Sequence, residues 1–212
     1  MLIAHYPENL PLTEYLQIEQ DLVKQVKELT LFTWIVSPTV IYGRHQSAEV
    51  EVNEAYCAEQ GIAVVQRKSG GGCVYADRGN LMLSYISPSI HSEQVFIDFL
   101  SFVRGALEAK GIPAVTTEHN DILVDGKKVS GAACFTCPTG TIVHATLLFD
   151  VRLDVLQKAI TPTAAKLAKH GVASVRQRVA NIKELTNAFE DIHALRDYIE
   201  HYGNLTTRSV NA

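Results

Sequence analysis

Four short runs rich in β-branched and apolar residues, at 114–117, 122–124, 128–135 and 141–149, follow one another with little chain between them. Asp125-Gly126 divides the second from the third, and that dipeptide supplies the two positive-φ positions of a type I′ hairpin turn. Strands spaced this closely are expected to pair antiparallel, because a parallel crossover needs a dozen or more intervening residues. Helical patterns group around these runs rather than alternating with single strands. Leu12, Tyr15, Leu16, Leu22, Val23, Val26 and Leu29 predict an amphipathic helix over 12–29. Further helices are expected at 51–60, stopped by Gly61, and at 93–110, stopped by Gly111. Two strands around a turn at Ser37-Pro38 are expected within 31–42, others at 62–66, 73–75 and 81–86, and a mostly helical last third ending at 192–201. The class expected is α+β, with mixed, largely antiparallel sheets and flanking helices.

A chain of 212 residues without internal repeats, low-complexity tracts or linkers is expected to form a single domain over 1–212. Hydrophobic residues at 47% and charged residues at 20% exclude disorder and fibrous repeats. The net charge of −4 argues against general binding of nucleic-acid backbones. No apolar run approaches the roughly 20 residues that span a bilayer, and the first residues lack a signal-peptide pattern. Four cysteines are too few for a disulfide scaffold and fit a reduced, cytoplasmic protein. Neither nucleic acid nor membrane is expected as a partner.

Several segments can carry chemistry. Arg67-Lys68-Ser69-Gly70-Gly71-Gly72 follows a strand. It reads either as a flexible turn or as an anion-binding loop, in which glycine N–H groups converge on a phosphate flanked by two cations. Its spacing matches neither the P-loop nor the dinucleotide fingerprint. The hairpin around Asp125-Gly126 sets Asn120-Asp121 on one strand and Lys128 on its neighbour. That is either a solvated turn or a place where a carboxylate holds Mg²⁺ while a lysine meets a phosphate or developing negative charge. Cys134-Phe135-Thr136-Cys137 has no second cysteine pair; it reads as incidental, redox-active or half of a metal site. His144 opens an apolar run and is either a satisfied strand histidine or a site residue.

Taken in order, the segments from Gln66 to Leu81, Asn120-Asp121-Ile122, Lys127 to Ala133, His144-Ala145-Thr146-Leu147-Leu148 and Ser174 to Ile182 resemble the motifs of lipoate–protein ligases. The first is similar to that family's signature RRxSGGGxVxHDxGN and the fourth to its HGTLL strand. The resemblance implies a biotin/lipoate-ligase-like catalytic domain that uses ATP and Mg²⁺ to convert lipoate or octanoate to its acyl-adenylate. The acyl group then passes to a lysine of a lipoyl acceptor domain, as in 2-oxoacid dehydrogenases and glycine-cleavage proteins. It implies Lys128 as the catalytic residue. Substrate and nucleotide contacts are implied for Arg67, Ser69, Gly70, Gly71, Gly72, Tyr75, Asn120, Asp121, His144 and Thr146, with Asp121 also near Mg²⁺. Gly79 and Asn80 are expected to shape the loop behind the site.

The chain departs from the pattern at three places: Gln66 stands for the signature's first Arg, Ala76 for its His, and Ala145 for the Gly after His144. Two of these remove polar or cationic groups near a triphosphate, each worth ~1–3 kcal/mol in a charge-assisted bond. A transferase working from preformed adenylate and a non-catalytic lipoyl-binding module therefore stand beside the ligase. A cysteine-dependent acyltransferase is disfavoured, since 114–119 contains no cysteine, and a biotin ligase is expected to carry an Arg-rich glycine loop. The residues after Ile182 are too few for the second domain found in many such ligases, so the expectation is a catalytic domain alone. Either a separate accessory protein completes activation or the chain performs transfer only.

Overall fold

The computed structural model describes residues 1–117, 121–160 and 179–210, the last five of these as backbone only. A seven-stranded sheet runs in the order β1 (Leu2–Ile3), β2 (Thr30–Trp34), β6 (Asn80–Ser87), β10 (Gly140–Leu148), β9 (Lys127–Cys137), β8 (Ile122–Val124), β7 (Ala114–Thr116). All its pairings are antiparallel except β1 with β2. A second sheet has the order β4 (Ala63–Gln66), β3 (Thr39–Tyr42), β5 (Val74–Ala76), with β3 parallel to β4. The α+β class with mixed, largely antiparallel sheets is the one expected from the hairpin pattern. Its clearest local basis is the turn at Asp125 (φ 50°) and Gly126 (φ 72°), whose paired positive φ values are those of a type I′ hairpin.

Helices cover both faces of the large sheet. On one side α4 (Ser92–Ala109) and α7 (Ile192–Val210) build the main core with Leu81, Leu83, Val143 and Leu147 from the central strands. On the other side α1 (Leu12–Gln25) lays Leu12, Tyr15 and Val23 against Phe32, Trp34, Met82 and Ile142. A third cluster sits beside the small sheet. There α2 (Ala48–Glu51), α3 (Glu54–Glu59) and α5 (Leu153–Ala159) surround Val40 and Tyr75. The short α6 (Ile182–Leu185) precedes α7. Among the described residues no helix is long and apolar enough to cross a membrane.

Several expected boundaries move for identifiable reasons. The first helix stops at Gln25 rather than at 29, because Val26 turns extended (ψ 130°) to lead into β2. The helix expected over 51–60 is two short helices, since Asn53 leaves the helix and caps α3, its side-chain oxygen accepting from Tyr56 N at 3.1 Å. The strands expected around Ser37-Pro38 are not a hairpin: β2 belongs to the large sheet and β3 to the small one. That divergence opens a space between the sheets. Gly61 (φ 64°) and Gly111 (φ 81°) follow their helices in the left-handed conformation, as expected of helix stops.

One glycine stands where the chain crosses from β5 of the small sheet to β6 of the large one. The Gly79 carbonyl accepts from Phe149 N (3.0 Å) and Asp150 N (2.9 Å), and any Cβ at Gly79 would overlap the Asp150 carbonyl. Gly79→Ala is therefore expected to destabilise the fold by about 3 kcal/mol through overpacking. At this chain length that is a fall of about 6–12 °C in Tm. Thermal unfolding followed by circular dichroism checks it, and an unchanged Tm would show that the 79–150 contact yields easily.

Candidate active site

The space between the sheets is a cleft of about 270 Å³. Leu12 and Leu16 of α1, Trp34 of β2, Ile41 of β3 and Met82 of β6 line its apolar part. Lys128, Asp121, Thr146, Gly71 and Gly72 line its polar part. An amphiphilic ligand with a long apolar tail and an anionic head matches that division.

A register shift in the sheet delivers Lys128 to the cleft. Ile122 pairs with Ser130, but Leu123 pairs with Lys128, leaving Val129 as the extra residue of a bulge. Such bulges recur next to active sites because they re-aim side chains. Here the bulge lets Val129 and Ser130 both bury while Lys128 and Gly131 share the cleft wall. The Lys128 ammonium lies 2.6 Å from Asp121 Oδ1, with the two side chains 33% and 24% exposed. Both are thus reachable by a ligand. The Lys128 carbonyl accepts from Ala180 N at 3.0 Å, which ties the late Val179–Ile182 segment to the site. Asn181 holds that segment in turn, its side chain bonding both N–H and C=O of Val151.

Arg67 is 5% exposed, and its guanidinium is held by acceptors within the protein. It donates to Gly70 O (2.7 Å), Gly72 O (2.7 Å), Ile41 O (3.1 Å) and Ser69 Oγ (3.0 Å). Burial draws its pKa below the ordinary arginine value, with the neighbouring Cys73 opposing. The loop is shaped around this one side chain. With its carbonyls turned to Arg67 and Gly71 at φ 88°, Gly71 and Gly72 border the cleft. A second turn, Gly43-Arg44-His45-Gln46, backs the loop. Arg44 N donates to Ser69 O at 2.9 Å, and a Cβ on Gly43 would overlap the Gly71 carbonyl.

Of the residues implied by the resemblance, Arg67, Gly71, Gly72, Asp121, Lys128, His144 and Thr146 line one cleft. Thr146 Oγ1 also accepts from Gly131 N at 3.2 Å, locking β9 to β10 beside Lys128. Ser69 lies beneath the loop, 2% exposed, with its hydroxyl 2.6 Å from His144 Nε2. Gly70 is half-buried and is not among the residues that line the cleft. Tyr75 is a correction. Strand alternation puts Val74 on the cleft side and Tyr75 on the opposite face, 2% exposed in the third core cluster. Burial first, and then the adjacent Asp77, raise its phenol well above the usual tyrosine value. Asn120 and the Ser174–Arg178 part of the late motif lie outside the described residues.

Asn80 is fully buried, and its carboxamide has no hydrogen-bond partner among the described residues. Gly79 and Asn80 do form the turn behind the cleft, closed by Asp77 through Gly79 N at 2.8 Å. None of the four cysteines, all among the described residues, forms a disulfide. Cys134 and Cys137 are three apart on a strand, so they face opposite sides, Cys134 packing on the main core and Cys137 on the α1 core. Burial pushes the Cys134 thiol up. At Cys137 burial also raises it, but hydrogen bonds from Thr139 and Gly140 outweigh this and lower it. Among the described residues no group of three ligating side chains could hold a metal. The apolar lining and Glu19, buried beneath His144, were not singled out from the sequence. Glu19 did leave a signal, as a charge set into the apolar stripe between Tyr15, Leu16 and Val23.

A model of the lipoyl protein ligase A/B catalytic domain matches residues 5–202. The chain is 39% identical over 175 residues to the lipoate-protein ligase LplJ of Bacillus subtilis, covering 80% of this chain and 52% of that one. It is 40% identical over 159 residues to a lipoate–protein ligase of Streptococcus pyogenes, covering 73% and 46% respectively. The chain thus spans about half the length of the curated relatives it matches. Among solved structures, an archaeal bi-partite lipoate protein ligase studied with its E2 lipoyl domain, from Thermoplasma acidophilum, superposes with a TM-score of 0.81 at 25% identity, covering 98% of this chain and 83% of that one. A lipoate-protein ligase A bound with ATP has the same fold, with a TM-score of 0.84 at 24% identity over 98% of this chain and 85% of that one.

Proposed function

The chain belongs to the lipoyl protein ligase A/B catalytic-domain family, and on that premise we propose that it activates lipoate or octanoate with ATP and transfers the acyl group to a lysine of a lipoyl domain. The observation that carries this is the division of the cleft. An apolar channel floored by Trp34, Ile41 and Met82 leads to Lys128, Asp121 and the Gly71-Gly72 edge.

In the first step a carboxylate oxygen of the acid attacks the α-phosphorus of ATP, and pyrophosphate leaves. Both partners are anionic, so the Lys128 ammonium offsets their repulsion and neutralises charge building on the bridging oxygens. Asp121 holds that ammonium in place until the ligand competes for it. Mg²⁺ arriving with ATP fits this donor set, since one carboxylate together with phosphate oxygens is a common Mg²⁺ environment; Asp121 would hold it, and the ion would draw charge from the phosphates. In the second step the acceptor lysine's amine attacks the acyl carbonyl carbon, AMP leaves with the bonding electrons, and the amine loses a proton. Lys128 then faces the carbonyl oxygen as it becomes an oxyanion. The acceptor brings its own nucleophile, so the chain's part is positioning and charge stabilisation. The fitting acceptors are lipoyl domains of 2-oxoacid dehydrogenases or glycine-cleavage proteins.

A second reading, transfer from preformed adenylate alone, is favoured by two positions. Ala76 is fully buried and apolar where the family signature has His, and Gln66 donates to the Arg44 carbonyl (3.3 Å) where it has Arg. Mass spectrometry of a purified lipoyl domain mixed with the chain separates the readings. ATP-dependent mass gain from lipoate supports the ligase. Gain only from lipoyl-adenylate supports the transferase, and gain from an acylated carrier an amidotransferase. No gain under any of these conditions overturns both proposed readings and leaves a binding module.

A further inference from the structure

Glu19 is 1% exposed, on α1 between the core residues Tyr15 and Val23. A carboxylate buried to that degree is costly unless its lone pairs are met. Among the described residues no lysine or arginine meets it. Glu19 Oε1 accepts from the Ser84 hydroxyl at 2.6 Å, and Oε2 lies 3.0 Å from His144 Nδ1. On the far side of the ring, His144 Nε2 is 2.6 Å from Ser69 Oγ. The path therefore crosses from α1 through β6 and β10 to the loop that borders the cleft.

Both ends of this path are groups that can only donate. The Trp34 indole donates to Ser84 Oγ at 2.8 Å, and Arg67 Nε donates to Ser69 Oγ at 3.0 Å. Each donor takes up one lone pair of the serine oxygen it meets. Ser84, already accepting from Trp34, directs its single hydrogen to Glu19. The Glu19 carboxylate can only accept, so the ring nitrogen that faces it, His144 Nδ1, carries a proton. In the neutral ring Nε2 is then bare, and the Ser69 hydroxyl donates to it. The opposite tautomer would leave a bare nitrogen facing the Glu19 carboxylate, two acceptors with no proton between them.

We propose that Glu19 is a positioning residue of the acyl-adenylate site: it holds His144 as the Nδ1–H tautomer, so that Nε2 fastens the Ser69 hydroxyl and fixes the glycine loop. This rests on the function proposed above only in naming what the loop holds. Ser69 is the point where Arg67 and His144 meet, and Arg67 also holds the Gly70 and Gly72 carbonyls. The orientation of the loop edge is thus set jointly from the small sheet and from α1. A carboxylate acting through an imidazole on a hydroxyl is a known way to fix a tautomer and ring orientation from beneath a site.

Glu19→Gln tests this, because it keeps shape and burial but replaces one acceptor with a donor. The Ser84 and His144 protons cannot then both be accepted. With the histidines labelled with ¹⁵N, NMR of the wild-type chain is expected to show His144 protonated at Nδ1 alone, and the variant to lose that state. The KM for preformed lipoyl-adenylate is expected to rise about tenfold or more, the scale of effect such underlying carboxylates have, while Tm moves by only a few degrees. If Glu19 acts through Ser69, Ser69→Ala together with Glu19→Gln should be no worse than Ser69→Ala alone. Protonation at Nε2 in the wild-type chain overturns the proposal. So does an unchanged KM in Glu19→Gln, or additive losses in the double variant, which would mark Glu19 as a packing anchor for α1. The tautomer measurement needs no substrate, so an inactive wild-type chain would overturn the reading of function while the network is still judged on its own.

Discussion

Lys128→Ala is expected to lower the rate of lipoyl transfer by about 10²–10³-fold, the loss typical of removing one preorganised donor from a developing oxyanion. The fold should survive. Lys128 is one-third exposed, and its partner Asp121 is open enough for water to solvate the freed carboxylate. Partly exposed pairs of this kind contribute about 1 kcal/mol or less to stability. The loss should appear with preformed lipoyl-adenylate as well as with lipoate and ATP, because the proposed mechanism sets the same ammonium at the reacting centre in both steps. Lys128→Arg tests geometry rather than charge. The guanidinium is planar and bulkier, and the bulge at Val129 fixes the side chain's origin, so restoring the charge should recover only part of the rate. Single-turnover transfer to a lipoyl domain measures this. Wild-type turnover by Lys128→Ala would remove the cleft from the chemistry.

What could be read from the sequence divides along physical lines. The hairpin of β8 and β9 was legible because Asp125-Gly126 is a local conformational demand, satisfied within four residues. The glycine loop was legible as an anion loop or a turn, since Ser69–Gly72 has little other use. Its internal order was not. Whether Arg67 faces a phosphate or the loop's own carbonyls depends on Ile41 and on β3 lying beside β4, which is a tertiary fact. Tyr75 was misplaced because a motif gives neighbours without giving faces. Strand alternation from Val74 then turned it into the third core cluster. The separation of β2 and β3 into two sheets left no local mark either, because Ser37-Pro38 serves a sheet-to-sheet crossing as well as a hairpin. The apolar channel is assembled from residues far apart in sequence, Leu12 to Ala145, each of which alone is an ordinary core residue. Glu19 was the exception, a misfit in an otherwise regular stripe.

Arg67→Lys is expected to be nearly as damaging as Arg67→Ala, although the charge is kept. Three carbonyls, those of Ile41, Gly70 and Gly72, and the Ser69 hydroxyl converge on one guanidinium. A lysine presents a single nitrogen with three protons and cannot reach acceptors spread around a planar fork. Each carbonyl left buried without a donor costs about 1–3 kcal/mol, and because they share one partner the costs do not simply add. The loop should relax outward to find water, so a fall in Tm of several degrees is expected. With the Gly71-Gly72 edge displaced, activation and transfer should decline together, by about 10²-fold. This separates two roles for the residue. If Arg67 contacted phosphate as a point charge, lysine would largely replace it, and the loss would fall on the ATP-dependent step while transfer from preformed adenylate continued. If it is the internal brace of the loop, both steps fail and stability falls with them. Comparing the two assays with the unfolding curve of Arg67→Lys decides between them, and a variant with normal Tm and a defect confined to activation would overturn the brace.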